Sequence, residues 1–336
     1  MVVSLVIPVI LSSTACIVCN LMVQGTITPK QAHNPGTMII DFHQLEPNLL
    51  CRTSILDLSV CVGRGGQAFT WCELGTSAWC NMVMDHLVIL YADDENVYFK
   101  TASEDVETVR DILRDYFRLD EDAEALLNMW ASKAKTLARY KMSTGARVLR
   151  IDPWECLLSF ICSQNNAIYR ILKMVQTLKR EFGTLVCTVR YGDESVEVFS
   201  FPQIEQFLGS DTEARLRSLG FGYRSKYFKA AAEYIQSVDE LYKLRGQPYD
   251  SVTDYLLKIP GVGPKVADCV ALYSLDQLEA VPIDTHMLKI AKEHVKVSTK
   301  SLTLKTYRTL SKHLQELFGQ KAGWAQVFLF VGSLKR

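Results

Sequence analysis

The run Pro260-Gly261-Val262-Gly263-Pro264 restricts the fold of this chain more than any other. It stands between two segments, 249–258 and 264–275, whose apolar residues recur at helical spacing. Pro260 stops the first helix, the two glycines permit a tight reversal, and Pro264 suits the first position of the second. N–H groups in the first turn of that second helix lack partners inside it. The helix dipole adds positive character there, so the corner suits a phosphate. Such a contact senses charge and not sequence. Taken alone, the turn is equally well a structural corner.

Around the hairpin the spacing predicts a helix-rich half. Segments 154–162, 167–182, 202–208, 211–219, 224–238, 285–294, 302–318 and 324–329 all show i, i+3, i+4 apolar periodicity. Upstream, β-prone runs at 54–62, 67–74, 79–84, 86–91 and 96–100 are punctuated by Gly63, Gly65, Gly66, Gly75 and Asp93-Asp94. They predict an antiparallel meander without a parallel crossover. Helices follow at 106–117 and 123–140. Residues 28–48 hold Pro29, Pro35, Gly36 and Pro47 and are expected to be irregular. The expected fold is therefore α+β. Residues 1–48 form an apolar and irregular leader, 49–148 a domain with an antiparallel sheet, and 149–336 a mostly helical domain with the hairpin at 257–265.

Formal charge is zero over the whole chain, but it is not evenly spread. Residues 1–150 carry 13 Lys and Arg against 17 Asp and Glu, and residues 151–336 carry 24 against 20. The mildly basic second half is compatible with a nucleic-acid partner without requiring one. The ten cysteines form no pair of CxxC elements, so buried reduced thiols are expected and a zinc site is not. Residues 1–27 lack any charge, yet they have neither the basic start of a signal peptide nor an uninterrupted anchor. Their role stays open between a targeting element, a membrane anchor and a mis-assigned start.

Two side chains near the hairpin carry chemistry. Lys265 stands in the first turn of the second helix, where the dipole opposes a cation. That placement disfavours the charged ammonium and can free an amine for nucleophilic attack, although an ordinary surface lysine fits the same position. Asp284, in Val281-Pro282-Ile283-Asp284-Thr285-His286, precedes a helical run and is a good N-cap. A capping carboxylate can also face a cleft and stabilise an electron-poor sugar.

Together these motifs make the chain resemble the helix-hairpin-helix (HhH-GPD) glycosylases, and within them the eukaryotic 8-oxoguanine DNA glycosylase/AP lyases. The resemblance runs from about residue 50 to the C-terminus. It implies that Lys265 attacks C1′ of the damaged nucleoside to give a Schiff base, that β-elimination follows, and that Asp284 assists. The base must first leave the duplex. Cys269 and Phe330 are implied as the walls of its pocket, Gln326 as the reader of its Watson–Crick edge, and the carbonyl of Gly66 as the acceptor for the N7 hydrogen of 8-oxoguanine. Asn165, Arg170, Tyr223 and Arg224 are implied to fill the vacated space and hold the orphaned cytosine. Gly261, Gly263 and His286 are implied as phosphate contacts. On residue chemistry alone, Arg170 and Arg224 are ordinary solvated helix residues.

The implied partner is double-stranded DNA carrying oxidised guanine, or its formamidopyrimidine relative, opposite cytosine, with the protein a monomer in the nucleus, the mitochondrion being an additional location left open. No cofactor is required. Backbone carbonyls of Leu257, Ile259 and Val262 are implied to hold a structural cation that bridges to a phosphate. No iron–sulfur cluster is expected, because no cysteine follows Cys269. Two positions depart from the family pattern. Gly65 stands where a serine is usual and should loosen the turn, and Ser333 stands where an aspartate supports the histidine, so His286 should be held differently. A monofunctional glycosylase, a DNA-binding protein without turnover and a membrane-anchored protein are the competing readings.

Overall fold

The computed structural model describes residues 37–131, 145–294 and 302–334. Its first organising element is a sheet whose middle strand is too apolar to have a wet face. Strands β1 (Met38–Asp41), β2 (Asn48–Arg52), β3 (Cys72–Leu74), β4 (Ala78–Val83), β5 (His86–Ala92) and β6 (Asn96–Lys100) come first in the chain. The last five form an antiparallel sheet in the order β2-β6-β5-β4-β3. In β5, Val88 and Leu90 face the main core with Val97 and Phe99, while Leu87 and Ile89 face a second apolar cluster. A strand buried on both sides reads as a continuous apolar run instead of an alternating one.

The cover for that second face comes from far along the chain. Helices α1 (Val106–Tyr116), α2 (Ala123–Ala131), α3 (Pro153–Cys162) and α4 (Ile168–Phe182) intervene. A hairpin of β7 (Leu185–Tyr191) and β8 (Glu194–Phe199) then returns to the sheet. Its Cys187, Val189 and Val198 close over Phe42, Leu74, Cys80, Leu87 and Ile89. β1 runs parallel to β7, pairing Met38 with Cys187 and Asp41 with Arg190.

Three expectations need correction here. Residues 38–41 are a strand, paired in parallel with β7, and not irregular lead-in, and the helical half contains a β-hairpin. The run 54–62 is also not a strand. Ser59–Arg64 winds into a π-helical turn, started by Asp57, whose N–H reaches the Gly145 carbonyl at 2.8 Å. The remainder of the predicted 123–140 helix beyond Ala131 lies outside the described residues, as do Cys16, Cys19 and the apolar residues 1–27.

The helical half continues with α5 (Thr212–Ser218), α6 (Ser225–Tyr234), α7 (Val238–Tyr242), α8 (Tyr249–Leu256), α9 (Pro264–Ser274), α10 (Thr285–His294), α11 (Leu304–Phe318) and α12 (Ala322–Leu334). α3 is buried along its whole length and packs against α9. Asp152 caps it, accepting from the Glu155 N–H at 2.9 Å, and Pro153 takes its first position. Each fully buried Leu, Ile or Phe in this core contributes about 1.5–3 kcal/mol through apolar burial. One core cluster holds residues of α9 and α12 together with those of the sheet, so the described residues from Met38 onward form a single unit. Among the described residues, eight cysteines are free, and no helix is long and apolar enough to cross a membrane.

Candidate active site

α8 ends at Leu256, and the chain reverses through Ile259-Pro260-Gly261-Val262 before α9 starts at Pro264. Ile259 and Val262 are buried and anchor the turn from below, and the Val262 N–H donates to the Ile259 carbonyl at 3.0 Å. Gly261 has φ +87°, and a Cβ there would lie 2.2 Å from the Tyr227 ring. Only glycine meets both conditions. Nothing stands within 4 Å of a Cβ built on Gly263, so the backbone at the start of α9 is open to a ligand.

A cavity of about 790 Å³ opens beside this turn, a volume suited to a small-molecule or nucleotide-sized group. Lys265, Asp284, Gly66, Phe330, Asn165, Gly261 and Gly263 all line it. The Lys265 amine donates to the Ser163 hydroxyl at 3.1 Å and lies 4.7 Å from the centre of the Phe160 ring. Asp284 caps α10, with Oδ1 accepting from the Met287 N–H at 2.7 Å. One oxygen is thus committed to the helix, and the carboxylate still borders the cavity.

Gly66 has φ +67° and is steadied by its neighbour. The buried Gln67 side chain donates to the Arg147 carbonyl at 2.9 Å and accepts from the Leu149 N–H at 3.1 Å. Gly65 is buried, and a Cβ there would lie 2.0 Å from the Val60 carbonyl oxygen. The departure at Gly65 therefore lets the π-helical turn close instead of loosening it.

Cys269 and Gln326 are buried and not on the cavity wall. Burial pushes the Cys269 thiol up to about 12, against the pull of Lys265, so it is a neutral side chain at physiological pH. The Gln326 carbonyl lies 3.5 Å from the Tyr273 hydroxyl, and the Tyr273 ring stacks on Phe160 of the wall at 5.6 Å. His286 packs edge-on to Phe330 with ring centres 5.1 Å apart, and its Nε2 lies 2.5 Å from the Ser333 hydroxyl.

Of the second group, Asn165 lines the cavity, and Tyr223 and Arg224 meet its lining at Gln164. Asn165 is exposed with φ +43°, a conformation asparagine tolerates better than most residues. Tyr223 is half exposed, and its hydroxyl donates to the Gln164 carbonyl at 3.4 Å. Arg224 is not the solvated residue its sequence suggests. It is 3% exposed, stacks 4.6 Å from the Tyr223 ring centre and donates to the same Gln164 carbonyl. Arg170 is exposed in the first turn of α4.

Sequence reasoning passed over Gln164, which ties these parts together. Its side chain donates to the Gly261 carbonyl at 2.6 Å while its own carbonyl receives Tyr223 and Arg224. Ser163, the partner of Lys265, was missed too. Both lie in a loop after α3, where side chains free of helical packing are available for such contacts. That position is the only signal the sequence offered.

A cation at the hairpin is chemically reasonable. The Leu257 carbonyl belongs to the residue that caps the end of α8, where carbonyls lack intrahelical donors, and Ile259 keeps a second lone pair. An all-oxygen set suits a hard cation and not a thiophilic metal.

A helix-hairpin-helix corner, a first-turn lysine and a capping aspartate around one cavity define a DNA-repair glycosylase fold and site. Comparison with known proteins narrows the class. The model for the 8-oxoguanine DNA glycosylase N-terminal domain matches residues 48–157, and that for the HhH-GPD superfamily of base excision DNA repair proteins matches residues 158–320. The chain is 35% identical to the N-glycosylase/DNA lyase of Saccharomyces cerevisiae over 278 residues, 73% of either chain. It is 34% identical to that of Arabidopsis thaliana over 284 residues, 80% of this chain and 75% of the relative. Among solved structures it is similar to the Clostridium acetobutylicum 8-oxoguanine glycosylase/lyase in complex with double-stranded DNA containing cytosine opposite 8-oxoguanine. The TM-score is 0.71 at 27% identity, covering 83% of this chain and 92% of that one. The chain belongs to the 8-oxoguanine DNA glycosylase family. It is a base-excision-repair enzyme with both N-glycosylase and DNA lyase activity.

Proposed function

We propose that this protein flips 8-oxoguanine, or its formamidopyrimidine relative, out of a pair with cytosine and removes it with Lys265 as the nucleophile. The observation that carries this reading is the shared cavity, lined by Lys265, Asp284 and the open start of α9. The Lys265 amine attacks C1′ and gives up a proton, the glycosidic bond breaks, and the base leaves with its electron pair and takes up a proton. Positive charge that builds on the sugar is met by the Asp284 carboxylate. Ring opening gives a Schiff base between Nζ and C1′. Loss of a proton from C2′ then expels the 3′-phosphate, which is the lyase step.

The remaining residues serve recognition. The Gly66 carbonyl is a fixed acceptor with no protonation state, suited to the N7 hydrogen that 8-oxoguanine has and guanine lacks. Phe330 lines the cavity that takes the base, while Cys269 and Gln326 are buried off its wall. Asn165, Arg170, Tyr223 and Arg224 serve the strand left behind, and Gly261, Gly263 and His286 the phosphates. Carbonyls of Leu257, Ile259 and Val262 would hold a hairpin cation, which neutralises phosphate charge when bound.

Single-turnover base release from duplexes with cytosine or adenine opposite the lesion tests the reading. Release opposite cytosine is expected to be faster by about tenfold or more, the worth of one good base-edge contact. Arg170→Ala should narrow that gap. Equal rates opposite both bases would remove the opposite-strand assignment. Binding without release would leave a lesion-binding protein.

A further inference from the structure

We propose that Tyr307 and Asp268 act as positioning residues, a strut that holds the Lys265 end of α9 against the segment that carries Asp284. The proposal rests on the reading of Lys265 as nucleophile. Asp268 lies three residues beyond Lys265 on α9 and is 3% exposed. Two tyrosines hold its carboxylate. Tyr249 of α8 donates to Oδ1 at 2.6 Å, and Tyr307 of α11 donates to Oδ2.

The two tyrosines differ in what else they touch. The Tyr307 oxygen also lies 3.3 Å from the Pro264 carbonyl and 3.5 Å from the Ile283 N–H. Those are the residues that immediately precede Lys265 and Asp284 in the chain. The single phenol hydrogen goes to Asp268, so Tyr307 ties α9 through that carboxylate and the segment before Asp284 through the Ile283 N–H, with the Pro264 carbonyl close beside it. Pro264 and Ile283 both lie at helix starts, where the backbone has fewest hydrogen bonds of its own. Tyr307 also lines the cavity that Lys265 and Asp284 share.

Helices can be joined more cheaply by apolar contact than by a buried carboxylate, whose desolvation is unfavourable. Hydrogen bonds, however, fix distance and direction, and an apolar contact does not. Attack on C1′ is sensitive to that geometry: a displacement of about 1 Å can cost on the order of a hundredfold in rate.

The test compares Tyr307→Phe with Tyr249→Phe in the full-length protein, by single-turnover release of 8-oxoguanine and by affinity for the same duplex. Both variants release Asp268 from one hydroxyl, and both should lower the unfolding midpoint. Only Tyr307→Phe is expected to slow release, by about tenfold or more, with duplex affinity within about twofold of wild type. Tyr249→Phe should keep the rate within about twofold. Asp268→Asn should follow Tyr307→Phe. If it fails to fold, the two phenylalanine variants still decide. A wild-type rate in Tyr307→Phe, or equal slowing in both, overturns the strut. Borohydride trapping on the wild type separates the failures. An adduct with equal rates in the two variants sinks the strut alone, and no adduct sinks the lysine reading and the strut with it.

Discussion

Ser333 holds His286 through one hydroxyl: its Oγ lies 2.5 Å from the imidazole Nε2 and donates its single hydrogen to the Phe330 carbonyl, also at 2.5 Å. The hydroxyl can then only accept from the ring, so Nε2 carries a hydrogen. A serine thus orients the histidine, but it adds no negative charge to favour the imidazolium. Ser333→Ala should lower duplex affinity about fivefold, the worth of one hydrogen bond, with a smaller effect on single-turnover excision. Ser333→Asp should tighten binding at neutral pH and steepen its salt dependence. Titration of a labelled duplex at two salt concentrations checks both. Unchanged affinity in both variants would mean that His286 does not meet the phosphates.

Gly65→Ser restores the residue usual in the family and is expected to harm this chain. A Cβ at that position would meet the Val60 carbonyl at 2.0 Å, so the π-helical turn before Gly66 would have to shift. Strain of this kind costs about 1–3 kcal/mol. Urea unfolding measures it. A variant as stable as wild type, with equal activity, would show that the turn is not held as tightly as the close approach requires.

Gln164→Ala should loosen the hairpin, because it removes the 2.6 Å bond to the Gly261 carbonyl and leaves that oxygen to water. The loss should be sequence-blind. Affinity should fall about three- to tenfold for lesion and undamaged duplex alike, in line with about 1 kcal/mol for the bond. A loss confined to the lesion would instead assign Gln164 to base recognition.

Glu155 links stability to pH. It is buried on α3, accepts from Thr70 at 2.8 Å, and burial pushes its carboxyl up to about 7. The folded state therefore binds this proton more tightly than the unfolded chain does. The contribution is fully present below the ordinary carboxylate value and is lost as pH rises through about 7. The span corresponds to roughly 3 kcal/mol. Glu155→Gln can still accept from Thr70 and has no such slope. The stability difference between variant and wild type should therefore shift by about 2–3 kcal/mol between pH 5 and pH 8, in favour of the variant at the higher pH. A difference that stays constant with pH contradicts the assignment.

Much of this architecture was legible in residue order because the signals were local. Pro260, Gly261, Gly263 and Pro264 specify a turn by backbone chemistry alone, and Asp152-Pro153 announces the start of α3. The β7–β8 hairpin could have been read from Val186 to Val198, where β-branched residues flank Tyr191-Gly192-Asp193, but helical periodicity on both sides masked it. β1 could not. Four residues with exposed Met38 and Ile39 form a strand only because β7, nearly 150 residues later, offers an edge.

The same contrast runs through the site. Lys265 and Asp284 stand at helix starts that the sequence marks. Gln164, Ser163 and the Asp268–Tyr307 pair depend on which loop or helix arrives beside them, and no spacing encodes that. Arg224 is the sharpest case. Its neighbours in sequence are polar or aromatic, yet the fold buries it beneath Tyr223 and against the carbonyl of Gln164.

The central claim is that the Lys265 amine becomes covalently joined to the sugar during excision. The direct measurement incubates the protein with a duplex bearing one 8-oxoguanine opposite cytosine, adds borohydride, and maps any crosslinked peptide by mass spectrometry. The account predicts one adduct, on Lys265, that Lys265→Gln abolishes while duplex binding persists. Base release without an adduct, or an adduct that survives in Lys265→Gln, would contradict it.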